Sequence, residues 1–595
     1  SYPVSTDRMI WATAAWEVYK VTGDKDWLKK VYPIIKNSVE DDLANAYDNI
    51  FLMYRGESSF LDWRSQTYPD WAQPLDIYAS LNLGTNAVHY NANKVLIDMA
   101  SLLYQQGDSL KYHYRRDSVK YSIFVKRTKA TINKELWMPE KGYYAQYLYG
   151  RTFLSPSPKA EALGQALCVY FDIADEQQAK SVISKSPVTT FGVPCIYPQI
   201  PDKFPYHNNG VWPFVQAYWA LASAKAGNEK AVLESFAAIY RPAALFLTNK
   251  ENFVADNGDF SGTAINSSNM LWSLSGNISL VHRLLFGMEF KPNGLLFHPF
   301  VPKAFADKRS LTNFKYRNSI LDIQISGFGN KVKSFEMDGK IIPGNEIPAT
   351  LTGKHRINII LSSEDFDKDT INKVSNDIAP QSPELTYKKG VLKWKKTKDA
   401  VSYKILRNGL LHTQTDKFSH SVMDTTYSEY QIIAIDGKKH QSFASEPLVV
   451  TSKNVFTYQL DDSVTLSGNV MKGYTGNGFK EISKTQSLKI TIPINVDTWG
   501  LYAFDFKYAN GNGEIGQNNK AGIRTLLIDN KIIDTIVFPQ RGENVWDDWG
   551  FTNSAKFYLK KGKHTVELIF RPANENMNIK VNQALLDFMR VTKLN

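Results

Sequence analysis

The sequence predicts a multidomain chain, an α/α toroid followed by all-β sandwich domains, and three observations predict it. Up to about residue 287 apolar residues recur at helical spacing, whereas from about 288 they alternate in short runs such as LDIQISGF, KSFEMDG and HRINIIL. The length of 595 residues calls for several domains, roughly four on the usual domain-size prior. Hydrophobic residues make up 43% and charged residues 22%, enough apolar side chains for substantial cores.

Taken in order, the first helix, MIWATAAWEVYKVTG, follows Ser5, Thr6 and Asp7, all capping types. Further helices are expected near 26–47, 86–105, 110–135, 158–173, 175–185, 211–226, 228–245 and 267–286, nine in all. Long loops rich in Gly, Pro and aromatics join them, notably 50–85, 137–157 and 187–210. Helices in hairpin pairs that send their long loops to one end give a toroid over 1–287. A full ring of six hairpins needs twelve helices, so two or three are expected from an upstream segment of the same protein. Residues 288–363 are expected to form a β-sandwich packed on the toroid, and the polar SEDFDKDTINKVSN at 364–377 a linker. The block 378–452, with Trp394 on LKW and Tyr403 on YKIL, resembles a fibronectin type III module. Residues 453–595 are strand-rich again, with turn signals such as YANGNG and IDNK.

Several function classes are excluded or made remote. The formal charge of +11 is spread over short runs such as KRTK and KWKKTK, which read as solvated faces and not as a nucleic-acid groove. No apolar run reaches the roughly 18–20 residues that span a bilayer. Cys168 and Cys195 are the two cysteines; they leave room for one disulfide but not for a disulfide scaffold or a structural zinc site.

Chemistry concentrates in FPYHNNGVWPFVQAYW (204–219) and ENFVADNGDFSGTAINSSNMLW (251–272), where acidic and aromatic loops open onto helices. A pyranose offers apolar C–H faces for stacking and hydroxyls for carboxylates and amides, so Trp63, Tyr206, His207, Asn208, Trp212 and Trp272 are suitable subsite residues. Asp7 and Arg8 open the first helix, where Asp7 caps or binds sugar and Arg8 holds a hydroxyl pair, and Glu57 and Arg64 are further sugar-binding candidates. Glycoside hydrolysis needs one carboxyl group as acid and a second carboxylate as base or nucleophile. Asp62, in GESSFLDWRSQTYPDW beside Arg64, and Glu251 are the candidates.

GESSFLDWR resembles the acid-bearing segment of the six-hairpin glycosidases, including family 37 trehalases and family 63 α-glucosidases. ENFVADNGDF followed by INSSNMLW resembles their base-bearing segment, and HNNGVWP the W-R-G-x-V-W-P run before it. The resemblance covers roughly residues 1–290. It implies a bacterial, exported glycosidase, inverting and acting on α-linkages, with Asp62 as general acid, Glu251 as base and no catalytic cofactor. The segment carries one residue more between Glu57 and Asp62 than the trehalase pattern, which leaves Glu57 and Asp70 open as acids. Asp256 and Asp259 compete as bases, and HNN lacks the family arginine. Two other readings remain: a non-catalytic glycan scaffold, and a polysaccharide lyase using Tyr206 and His207.

At the other end YQLDD, GYTGNGF, VFPQRGENVWDDWGF and LLDFMRV follow the order of a family 35 or family 6 carbohydrate-binding module. The resemblance implies sugar contacts from Tyr474, Trp546 and Asn578. It also implies a structural calcium at Gln459, Asp461 and Asp587, weakened by the neutral Gln459.

Overall fold

The computed structural model describes residues 7–595 apart from 59, 106–110, 368–369, 424–425, 451–452 and 516–517, with only the backbone of Asp7 and Lys111. The expected cap at Ser5 and Thr6 and the side-chain role of Asp7 lie outside the described residues. Ten α-helices are described: α1 (Asp7–Thr22), α2 (Lys25–Asn45), α3 (Pro74–Ala79), α4 (Leu83–Gln105), α5 (Lys111–Thr131), α6 (Ala162–Tyr170), α7 (Glu176–Lys185), α8 (Pro213–Lys225), α9 (Glu229–Phe246) and α10 (Leu271–Ser279). All nine expected helices are there, with the short α3 added.

Burial pattern decides which helices lie inside. α4 is apolar or small on most sides and buries residues along nearly its whole length, including Val88, His89, Ala92, Leu96, Met99 and Leu103. It packs against α1, α2, α5 and α6, α6 packs against α8, and α8 against α9 and α10. The row α1, α4, α6, α8 and α10 faces a common interior, whereas α2, α5, α7 and α9 back onto it from outside. α5, with KYHYRRDSVKYSIFVKRTKAT, carries the charged face that an outer helix needs. Side-chain caps fix several starts: Asp24 accepts from Asp26 and Trp27 before α2, Asp175 from Gln178 before α7, and Asn228 from Ala231 before α9.

After the helices the strands run from Met288–Phe290 onward. Strands Arg309–Tyr316, Asn318–Ser326, Thr352–Leu361, Val332–Met337 and Lys340–Ile341 form one sheet in that order, with Asn318–Ser326 and Thr352–Leu361 parallel. Alternation along Asn318–Ser326 sends Leu321, Ile323 and Ile325 into a core with Phe297, Ile357 and Ile359. Trp394 and Tyr403 sit in a separate core, their rings 5.6 Å apart. In the last block a six-stranded and a four-stranded sheet enclose Ile490, Phe504, Phe506, Leu568 and Leu586.

Two features depart from the expectations. The polar segment 364–377 is docked along the toroid: Asn372–Lys373 pairs in parallel with Pro187–Val188, and Asn376 donates to Asn209 (2.6 Å) and Asp256 (2.8 Å). Asn372 and Asn376 thus bond to the toroid, whereas Glu364 and Asp365 pair with Lys331 and Lys303 of the β-region at 288–363. The long loops 50–85 and 137–157 are also interfaces. Tyr68, Tyr147 and Tyr149 from them share a cluster with Leu406, Ile433 and Phe443, and Arg55 forks onto Asp534 of the last block at 2.7 and 2.8 Å. Cys168 and Cys195 are both buried and free, so the possible disulfide is absent. Among the described residues no helix is long and apolar enough to cross a membrane.

Candidate functional site

The interior of the helical row is a cavity of about 1560 Å³ lined by α1, α4, α6, α8 and α10. One end is walled by Phe60, Asp62, Tyr206, His207, Trp212, Phe214 and Trp272. α8 and α10 begin there, directly after Trp212 and Met270. The turn that precedes α8 is tight: a Cβ on Gly210 would stand 1.7 Å from the Tyr206 carbonyl oxygen. Glycine at that position lets the chain fold back so that Trp212 Nε1 donates to the same oxygen at 2.9 Å.

Tyr206 bonds to one of the two candidate carboxylates, and its neighbour His207 stands near the other. Tyr206 donates its hydroxyl to Glu251 Oε1 at 3.0 Å, and His207 Nε2 stands 3.9 Å from Asp62 Oδ1. Asp62 is open to the cavity, its side chain 77% exposed, whereas Glu251 is 6% exposed and also accepts from the Ser267 amide at 3.0 Å. Burial, then the Glu251 and Asp62 carboxylates, push the Tyr206 phenol up, so it stays a donor. Burial drives His207 down to about 3, which keeps the ring neutral. The loops at Asp62 and Glu251, about 190 residues apart in the chain, therefore meet.

Aromatic rings pave the rest. Tyr206 lies between Trp63 (5.2 Å) and Trp212 (5.0 Å), and Trp272 stacks on Phe214 at 4.9 Å. Trp63 and Trp272 keep exposed faces, whereas Trp212 and His207 are 1% exposed and form the floor. Phe60 and Phe214 were not singled out in the sequence, although both lie within the quoted segments; Phe60 packs edge-on against His207, Trp212 and Phe214.

Four side chains expected to contact sugar are engaged elsewhere. Arg8 pairs with Asp42 (2.5 Å) and Asp41 (3.4 Å) of α2, because those carboxylates offer a stronger fixed partner than a hydroxyl pair. Asn208 uses its amide on the Ile200 backbone, accepting at 2.7 Å and donating at 3.0 Å, so it closes the turn of its own loop. Arg64 Nε donates to buried Glu57 at 3.3 Å, which makes that pair a wall of the loop. The other carboxylates are engaged as well: Asp70 with Lys203 (2.5 Å), Asp256 with Asn209 and Asn376, and Asp259 in a turn with the Ser261 amide.

In the last block Tyr474 and Trp546 share an apolar cluster with Phe479, Leu585 and Trp549, and both are partly exposed. Trp546 lies across Gly511, where a Cβ would come within 2.7 Å of its indole nitrogen. Asn578 donates weakly to the Asn518 carbonyl (3.4 Å) and closes its own turn at Lys580. Gln459, Asp461 and Asp587 do converge, on the turn Thr475–Gly476–Asn477. The donor set does not fit a calcium ion, because Lys507 Nζ stands 2.8 Å from Asp587 Oδ2. Among the described residues no group of three or more His, Cys, Asp or Glu side chains is placed to hold a metal.

Residues 4–190 match the bacterial alpha-L-rhamnosidase six-hairpin glycosidase domain. The match lies within the helical block, and an all-β region follows that block, as the change in periodicity predicts. No curated protein matches. Among solved structures the chain is similar to a cycloisomaltooligosaccharide glucanotransferase from Paenibacillus sp., with 24% identity over 24% of this chain and 19% of that one, at a TM-score of 0.18. It is similar also to a GH26-CBM35 beta-(1,4)-mannanase from Podospora anserina, with 20% identity over 24% of this chain and 28% of that one, at a TM-score of 0.18. A third is a family 35 carbohydrate binding module from Clostridium thermocellum, with 18% identity over 25% of this chain and 98% of that one, at a TM-score of 0.16. The chain spans less than two thirds of the length of the first two.

Proposed function

We propose that the chain is an exported glycoside hydrolase that cleaves an α-linked glycoside with inversion, Asp62 acting as acid and Glu251 as base. The observation that carries this reading is the junction at Tyr206–His207: Glu251 is buried against the Tyr206 phenol, and Asp62, open to the cavity, stands 3.9 Å from the His207 ring. Asp62 would give its proton to the glycosidic oxygen while Glu251 takes one from the attacking water. Trp63 and Trp272 would stack on the sugar faces, and no step needs a cofactor. The six-hairpin match over residues 4–190 supports the class of reaction. The narrower likeness to families 63 and 37, the fibronectin-like spacer and a glycan-binding role for Tyr474 and Trp546 belong to the same proposal.

The test is run on this chain. Proton NMR against a panel of α-linked oligosaccharides should show release of a sugar of inverted configuration. Asp62→Asn and Glu251→Gln should each lower kcat/KM by about 10²–10⁴-fold. Full activity in both variants would remove the assignment. An unsaturated product absorbing in the near ultraviolet would replace it with a lyase.

A further inference from the structure

The C-terminal block contains a buried carboxylate that any account of its stability must neutralise. Asp587, on the strand Ala584–Lys593, is 0% exposed. A single buried charge of this kind persists only with a partner and a full set of hydrogen bonds. Its oxygens accept from the Thr475 amide (3.0 Å to each) and from the Thr475 hydroxyl (2.9 Å). The remaining contact is the ammonium of Lys507, at 2.8 Å.

Sheet register puts that ammonium there. Lys507 lies on the strand Gly500–Ala509, opposite Phe588, with a register shift immediately after it. Its side chain is 17% exposed and runs between the rings of Trp549 and Phe588, 5.7 and 5.6 Å from their centroids, before donating also to the Gly473 carbonyl at 3.3 Å. Gly473 and Thr475 flank Tyr474, so the ammonium and Asp587 together clamp the turn that carries this ring. Gln459 and Asp461 reach the same turn from the other side, Gln459 toward the Thr475 hydroxyl and Asp461 accepting from the Asn477 amide.

We propose that Lys507 is the resident cation of this module: it takes the structural place of a divalent ion, so the Tyr474 turn is fixed without metal. A calcium ion requires about 6–8 oxygens within roughly 2.6 Å, and a divalent charge beside a fixed ammonium is repelled. The inference stands independently of the glycosidase proposal, since its readouts are stability and ion binding.

The test is thermal unfolding of the whole chain in EDTA and in millimolar calcium chloride, with a calorimetric calcium titration beside it. The wild-type protein should unfold identically in both and show no saturable calcium binding. Lys507→Gln should lower the unfolding temperature of the C-terminal block by roughly 5–15 °C in EDTA, as expected for a buried carboxylate left without its cation. Stabilisation of the wild type by calcium, saturable binding, or a Lys507→Gln protein that melts like the wild type would each overturn the proposal. Should Lys507→Gln not fold, the wild-type titration alone decides.

Discussion

His207 shows how the site trades a titratable ring for rigidity. Packed among Phe60, Tyr206 and Trp212 and 1% exposed, it is driven by burial down to about 3 from an ordinary 6.5. The unfolded chain then takes up a proton on this ring before the folded one does, so stability falls as pH drops from about 6.5 toward 3. At pH 5 this one group costs roughly 2 kcal/mol of folding stability. His207→Gln should remove that part of the acid sensitivity: the loss of urea midpoint between pH 7 and pH 5 should be smaller than in the wild type. An unchanged pH slope would mean that the ring is not held neutral by burial. Tyr206 beside it bears on the lyase alternative. Its phenol is pushed up by burial and by Glu251 and Asp62, which makes it a poor base at neutral pH.

The start of α6 is where an element's geometry and its charge conflict. Glu161 caps the helix, both carboxylate oxygens 2.9 Å from the Gly164 amide, and a Cβ on residue 164 would come within 2.2 Å of one of them. Full burial raises the carboxyl to about 7 from an ordinary 4.5, against the lowering effect of those amides. A raised acid contributes stability below about 4.5 that is lost as pH climbs through 7, an amount of roughly 3 kcal/mol. Glu161→Gln keeps an acceptor for Gly164 and cannot ionise, so its stability relative to wild type should improve between pH 5 and pH 8. A constant difference across that range would show that Glu161 is not buried as a charge. None of this is legible from EALGQALCVY, which announces a helix but not what lies over its first turn. The nine long helices were legible because each must hide one stripe, and α3 was not, because six residues make no stripe. Asn208 and Asn372–Asn376 failed for the opposite reason. Their residue types suit sugar or water equally, and only the folded loops decide their partners, Ile200 within the same loop for Asn208 and the distant Pro187 and Asp256 for the other segment. Asp62 and Glu251 could be proposed from their aromatic flanks, but their meeting through Tyr206–His207 is a fact of the ring.

The β-blocks do more than follow the toroid, since they brace its loops. Trp71 donates to the Ala444 carbonyl at 2.9 Å and Tyr149 accepts from the Ala444 amide at 2.7 Å, so the middle block holds two long loops of the helical block, one of which carries Asp62. The last block bonds to the end of α2: Thr535 donates to the Ala44 carbonyl at 2.9 Å and Asn45 to the Ala573 carbonyl at 2.6 Å. At that interface Tyr78, Ala521 and Val537 form a small apolar cluster. The strongest single tie is Arg55, 6% exposed, which reaches Asp48 of its own loop at 2.8 and 3.1 Å and Asp534 of the last block at 2.7 and 2.8 Å. Two N–H groups donate on each side, to both oxygens of Asp534 and to Oδ2 of Asp48, which satisfies the guanidinium plane as a lysine could not. Arg55→Met keeps the volume and removes the charge, leaving two carboxylates facing each other in a buried seam at a cost of about 3–5 kcal/mol. The penalty falls on the docking of the two domains, because each carboxylate regains water if they separate. Calorimetry should therefore show the toroid and the last block unfolding together in the wild type and in two steps in Arg55→Met, with the toroid step moved down. Arg590→Met provides the contrast, because its partner Asp505 (2.7 Å) lies in the same block. That change should weaken the last block without splitting the transition. One cooperative step in Arg55→Met, merely shifted, would mean that the apolar cluster and backbone bonds couple the domains and that Arg55 only stabilises them.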